Sequence, residues 1–195
     1  MSVTVWVGVV QSSIAAAAGL LGVLSGGWIT RSQQRWERKS ARIREQLQGF
    51  YSPLLAMRAE IRTKSELRVK VSSVAHGAWA GLFAGGTDPD VRREIDKDNA
   101  PQFEKIIDYN NTQLREVILP LYRKMLAHFG DNMWLAEPST VTYYGTLSEY
   151  VEIWNRVESL PSKVIEDLGH DEKKLYPFYD DLQHNFERLS KELGK

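Results

Sequence analysis

Three observations predict an all-α chain. Apolar residues recur at helical steps of three and four, no segment alternates with a period of two, and an uncharged apolar run at the start meets a basic cluster. That run, Val3 to Ile29, is followed at once by Arg31, Arg35, Arg38, Lys39, Arg42 and Arg44. About 25 residues at about 1.5 Å each give a rod of roughly 37 Å, enough to cross a hydrocarbon core of about 30 Å. The expected organisation is a transmembrane anchor over 1–30, a basic helical stalk over 31–50 and a helical-bundle domain over 51–195.

Other readings of the first stretch fit less well. A cleaved secretory signal needs positive charge ahead of a short apolar core, and here only the α-amino group precedes a run that is too long. A buried helix of a soluble protein would be shorter and keep a polar face, whereas the clearly polar side chains inside the run are Gln11, Ser12 and Ser13. Trp6 and Trp28 stand near its two ends, where indoles sit among headgroups. No Lys or Arg precedes the run and six follow it closely, so the positive-inside rule expects the N-terminus outside and the bulk of the chain in the cytoplasm. The expected location is the inner (cytoplasmic) membrane. The absence of cysteine fits a compartment where disulfides do not persist.

Ala18, Gly22 and Gly26 recur every four residues within the run, with Ala15 and Gly19 on a neighbouring stripe. Such rows let two helix backbones approach closely in lipid, although Gly and Ala are frequent in membrane helices for other reasons too. The expected partners are therefore membrane lipid and either further copies of the chain or the other subunits of a membrane complex.

No Pro stands between Thr30 and Phe50, so the helix is expected to run on as a stalk. Trp36, Ile43, Phe50 and Met57 fall at heptad spacing, with Leu47, Leu54 and Ile61 completing a narrow apolar seam. It suits a short coiled coil or the first helix of a bundle. Through residue 70 the chain has eleven Lys/Arg against four Asp/Glu, a net of +7, and the remainder carries −7. Basic charge beside a cytoplasmic leaflet orients the anchor and attracts anionic lipid. No nucleic acid partner is expected, since no basic face is interleaved with stacking groups on a recognisable module.

Residues 49–55 read Gly-Phe-Tyr-Ser-Pro-Leu-Leu, and Pro53 marks either a kink or a new helix start. The apolar span, the basic stalk and this Phe-Tyr-x-Pro-Leu element together resemble a scattered group of uncharacterised bacterial single-pass membrane proteins. The likeness covers mainly the first 60 or so residues. A second point of likeness is Ser139-Thr140-Val141-Thr142-Tyr143-Tyr144. The resemblance implies an architecture and assigns no activity to any residue.

Beyond Leu54 the pattern stays helical. Leu67, Val71, Val74, Ala78 and Leu82 predict one apolar face ending near Gly85-Gly86, and Asp88-Pro89 supplies a cap and a first-turn proline. Pro101 is expected to open the next long helix, with Phe103, Ile106, Ile107, Asn110, Leu114, Val117, Leu121 and Met125 along it, a kink at Pro120 and a stop at Gly130. Ser139 is expected to cap a helix carrying Tyr143, Leu147, Tyr150, Val151 and Trp154. Pro161 restarts a short helix to Gly169, and a last one runs from about Pro177 through Phe178, Leu182, Phe186 and Leu189 to Leu193.

Chemistry is sparse. The histidines are His76, His128, His170 and His184; Glu166/His170 and His184/Glu187 share helix faces but lack the Glu-x-x-His order of a bundle metal site. Asp96-Lys97-Asp98-Asn99 lacks the glycine and closing Glu of a calcium loop and reads as a solvated turn. No phosphate-cradling or nucleophile-elbow motif is present. The aromatics Phe50, Tyr51, Trp79, Phe83, Tyr143, Tyr144, Tyr150 and Trp154 suit a core or a partner groove. No cofactor, metal or catalytic residue is assigned, so an enzyme is not expected. The chain reads as a membrane-anchored interaction or regulatory protein, or a complex subunit. The alternative is an oligomerising membrane effector of a bacterial defence or stress response, in which Gln11, Ser12 and Ser13 line a pore.

Overall fold

The computed structural model describes residues 33–84, 88–156 and 159–194. Two compact units divide the chain, Met1–Glu45 and Gln46–Lys195. In the first, residues 33–45 are helical (α1), with Trp36 half exposed at 53% and Arg42 beside Glu45 at 3.5 Å. The apolar run and its small-residue row lie outside the described residues. Among the described residues no helix is long and apolar enough to cross a membrane.

The second unit is all-α, with no strand among the described residues. A π turn at Leu47–Tyr51 enters α2 (Ser52–Leu82); α3 (Pro89–Gln113) then passes through a second π turn, Leu114–Ile118, into α4 (Leu119–Asp131). A 3-10 turn at Met133–Leu135 leads to α5 (Pro138–Val141), α6 (Tyr144–Arg156) and α7 (Ser162–Asp167). A further 3-10 turn, Glu172–Leu175, precedes α8 (Tyr176–Leu193). The bundle forms where α4 packs on α2 and α6, and α8 packs on α2 and the first π turn.

The two π turns share a cause. Pro53 and Pro120 each stand second in the helix that follows a turn. A proline lacks an N–H, and its ring crowds the carbonyl four residues back. In each case the preceding residue bonds five residues back, Ser52 N–H to the Leu47 carbonyl and Leu119 N–H to the Leu114 carbonyl, which widens the helix ahead of the ring. The kink expected at Pro120 takes this form. Pro53 also deprives the Gly49 carbonyl of its usual helical donor, and His128 Nε2 supplies one at 2.9 Å. Since a carbonyl only accepts, the His128 proton in this bond sits on Nε2. A Cβ at Gly49 would stand 2.9 Å from Leu135 Cδ1, so a side chain there would require the Leu135 methyl to shift.

Around this joint the core is aromatic. Phe129 of α4 meets Phe50 edge-on at 5.2 Å and Tyr144 at 5.4 Å, and stacks on Phe178 at 5.6 Å. Leu54, Ile61, Met125, Leu147 and Leu182 close the shell. From Leu47 onward the heptad seam is buried inside the unit, so in this stretch it serves the bundle.

Several local expectations need correction. Pro101 does not open a helix; α3 starts at Pro89, capped by the Asp88 side chain on Asp90 N–H at 2.9 Å, and Pro101 lies in its interior. A strong cap 13 residues earlier outweighed one missing donor. The stretch Asp96-Lys97-Asp98-Asn99 is likewise helical, with Asn99 Nδ2 donating to the Ile95 carbonyl at 2.8 Å. The helix α4 runs through Gly130 and ends at Asp131, with Asn132 as its C-cap. Ser139 lies inside α5, where Pro138 holds the first position, and leaves its oxygen free to accept from Asn185. The expected stop at Gly169 is present, at φ +57°, a conformation suited to glycine. Gly85 and Gly86 lie outside the described residues.

Candidate functional site

The two sequence elements that carry the resemblance meet in space. Tyr51 is fully buried, and its hydroxyl accepts from Glu137 N–H at 3.0 Å and lies 3.1 Å from Thr140 Oγ1. Thr140 Oγ1 donates its one proton to Asp181 Oδ2 at 2.5 Å, because a carboxylate can only accept. Tyr51 must therefore donate to Thr140. The result is a directed chain from Glu137 N–H through two hydroxyls to a carboxylate. Asn185 Nδ2 adds bonds to Ser139 Oγ at 3.2 Å, Thr140 Oγ1 at 3.3 Å and Asp181 Oδ2 at 3.2 Å. Gln46 Nε2 reaches the Leu135 carbonyl at 2.9 Å and Glu137 Oε1 at 3.1 Å, and Arg188 pairs with Glu137 at 3.2 Å. Burial pushes the Tyr51 hydroxyl above its ordinary pKa, with the Thr140 and Glu137 hydrogen bonds opposing. The phenol stays neutral at pH 7. This knot ties the start of α2 to α5 and α8, and its polar groups are spent on one another.

A second polar cluster lines a crevice of about 360 Å³ between α2 and α8. The Arg58 guanidinium lies 4.6 Å over the Tyr179 ring and donates to the Tyr179 carbonyl at 3.3 Å, while Tyr122 donates to Glu172 at 2.8 Å. Arg62 pairs with Glu66 one turn further along α2 at 2.7 Å, and Arg58, Glu172 and Asp180 complete the charged lining, so it carries both signs and selects no particular charge. Nearby, His170 stacks on Tyr150 at 4.4 Å and meets Trp154 edge-on at 5.0 Å. Burial, then the Lys174 charge, lowers the His170 pKa, and so favours the neutral ring.

The third feature is the hairpin of α2 and α3. Asn110 Nδ2 donates to Ser72 Oγ at 2.9 Å and Trp79 meets Phe103 at 4.8 Å, seven residues apart on each helix and in opposite order, so the helices run antiparallel. Trp79, Phe83 and Phe103 fill the seam near the tip. Leu67, Val71, Val74 and Leu82, of the apolar face expected on this helix, are exposed, Val74 by 66%. The seam is formed by Ser72, Ala75, Trp79 and Phe83 instead, a set rotated by about a third of a turn. An apolar groove of about 480 Å³ opens along it, lined by Ala75, His76, Trp79, Ala100, Phe103 and Ile107.

The other residues singled out from the sequence are scattered. Ala18, Gly22, Gly26 and Arg31 lie outside the described residues, while Arg35, Arg38, Lys39 and Arg44 are exposed on α1 and Arg42 is half-buried. His76 lines the hairpin groove, His128 serves the Gly49 carbonyl, and His184 is exposed, with Glu187 accepting from Gln183 at 2.7 Å. The side chain of Glu166 lies outside what is described. Among the described residues no three His, Asp or Glu side chains are placed to hold a metal ion. The polar knot is not legible as a unit in the sequence: Tyr51 and Thr140 stand in the Phe-Tyr-x-Pro-Leu and Ser-Thr-Val-Thr-Tyr-Tyr stretches, but Asp181 and Asn185 carry no signal beyond helical spacing on α8. No protein-family model, curated protein or solved structure matches the chain.

Proposed function

We propose that this chain is a membrane-anchored interaction or regulatory protein, a subunit that holds a helical docking module at the cytoplasmic face of the inner membrane. The observation that carries this reading is the α2–α3 hairpin, whose apolar side chains Leu67, Val71 and Val74 follow one another along one face of α2 and are presented to solvent. Exposed apolar faces of this kind mark interaction surfaces. The charge-free run from Val3 to Ile29 and the basic residues after it support the anchor and its orientation. Basic residues exposed on α1, Arg35, Arg38, Lys39 and Arg44, suit contact with anionic lipid. The polar trio Gln11, Ser12 and Ser13 favours a second reading, an oligomerising membrane effector whose spans surround water.

Orientation is the direct test. A reporter fused after Lys195 that works only in the cytoplasm should be active, and one that works only outside should be silent. The reverse pattern would sink the assignment. Replacing Arg31, Arg35, Arg38 and Lys39 with Gln should give a mixture of both orientations.

A further inference from the structure

We infer that the partner of the α2–α3 hairpin is the same hairpin of a second copy, the two closing into a four-helix bundle. This rests on the docking reading above and names the occupant of its surface. Ser72–Asn110 and Trp79–Phe103 define the seam of the antiparallel pair. Counting about 100° per residue away from that seam brings Leu67, Val71, Val74 and Ala78 of α2 to the same side as Val91 and Tyr109 of α3. All but Ala78 are among the exposed large apolar side chains, Tyr109 by 64%. Two helices alone cannot enclose such a face, and a second pair laid across it can. Gly81 borders the same side of α2, and a Cβ there would meet nothing within 4 Å. A neighbouring helix can therefore approach the α2 backbone there.

Charge selects the second copy over an unrelated apolar partner, and it also selects the arrangement. From Arg62 to Leu82, α2 carries Arg62, Lys64, Arg68 and Lys70 against Glu66. The acidic partner is α3, with six Asp/Glu against four Lys/Arg. A two-fold axis parallel to the helices lays α2 of one copy on α3 of the other, so opposite net charges meet across an apolar seam. The alternative two-fold, α2 on α2, brings like charges together. The chain thus holds both halves of a complementary pair.

The natural absence of cysteine makes the arrangement directly testable in the full chain in mild detergent. Copies with Val74→Cys and copies with Tyr109→Cys, differently tagged and co-expressed, should be joined by a short bis-maleimide for most of the chain. Adding Val74→Glu to the Tyr109→Cys copy, against the same Val74→Cys partner, should abolish the joined species while far-UV circular dichroism stays unchanged, since residue 74 is exposed. A His184→Cys pair on the exposed side of α8 controls for random encounter and for association through the anchors alone. Joining of the hairpin pair no greater than that control would overturn the inference. Such a failure would leave the reporter orientation unchanged, so it separates this surface from the anchored reading.

Discussion

Phe129→Ala should cost the helical unit about 3–5 kcal/mol, the range for emptying a buried phenylalanine site. Phe129 is fully buried and touches rings from three other segments, Phe50 in the first π turn, Tyr144 opening α6 and Phe178 in α8. No single neighbour can swing in to refill a hole shared by three elements. Urea unfolding followed by far-UV circular dichroism measures the loss, and His184→Ala on the exposed side of α8 should change stability by no more than about 0.5 kcal/mol. A Phe129→Ala variant within about 1 kcal/mol of the parent would mean that the core is not centred on this ring.

Thr140→Val should destabilise by about 1–3 kcal/mol or more, although valine matches the shape, because it strands both ends of a proton chain. Tyr51 loses its acceptor, and Asp181 loses the short bond from Thr140 while keeping Asn185 at 3.2 Å. Tyr51→Phe removes the same chain from its other side and frees Glu137 N–H. Their effects should therefore overlap. In a double-mutant cycle the pair should show a coupling of about 0.5–3 kcal/mol, the double variant costing less than the two singles together. Strict additivity would show that the Tyr51–Thr140 contact carries no energy of its own.

Helical periodicity made the all-α class legible, and the local signals at Asp88-Pro89 and at Pro161 to Gly169 correspond to helix ends in the structure. Those signals work because a cap or a positive φ acts within a few residues. Pro101 misled for the same local reason: a proline announces a possible start, and only competition with the better cap at Asp88 decides against it. The face of α2 misled differently. Leu67, Val71 and Val74 are periodic, but periodicity reports that a face is apolar and not whether the same chain covers it. The polar knot could not be read at all as a set, since Tyr51 and Thr140 are 89 positions apart and the link is a hydrogen bond made only after packing. His128 on the Gly49 carbonyl is a similar case, a compensation for Pro53 supplied from 79 positions away.

Membrane anchoring is the claim on which the proposed function most depends, and alkaline carbonate washing of membranes from cells expressing the full chain tests it most directly. A spanning helix over Val3 to Ile29 keeps the protein in the pellet, because carbonate strips electrostatically bound chains and does not extract a helix seated in hydrocarbon. The same chain without residues 1–45 should appear in the supernatant, since the unit that remains, Gln46–Lys195, is a separate compact body. Release of the full chain by carbonate would contradict the anchor and leave only surface attachment through the basic residues of α1.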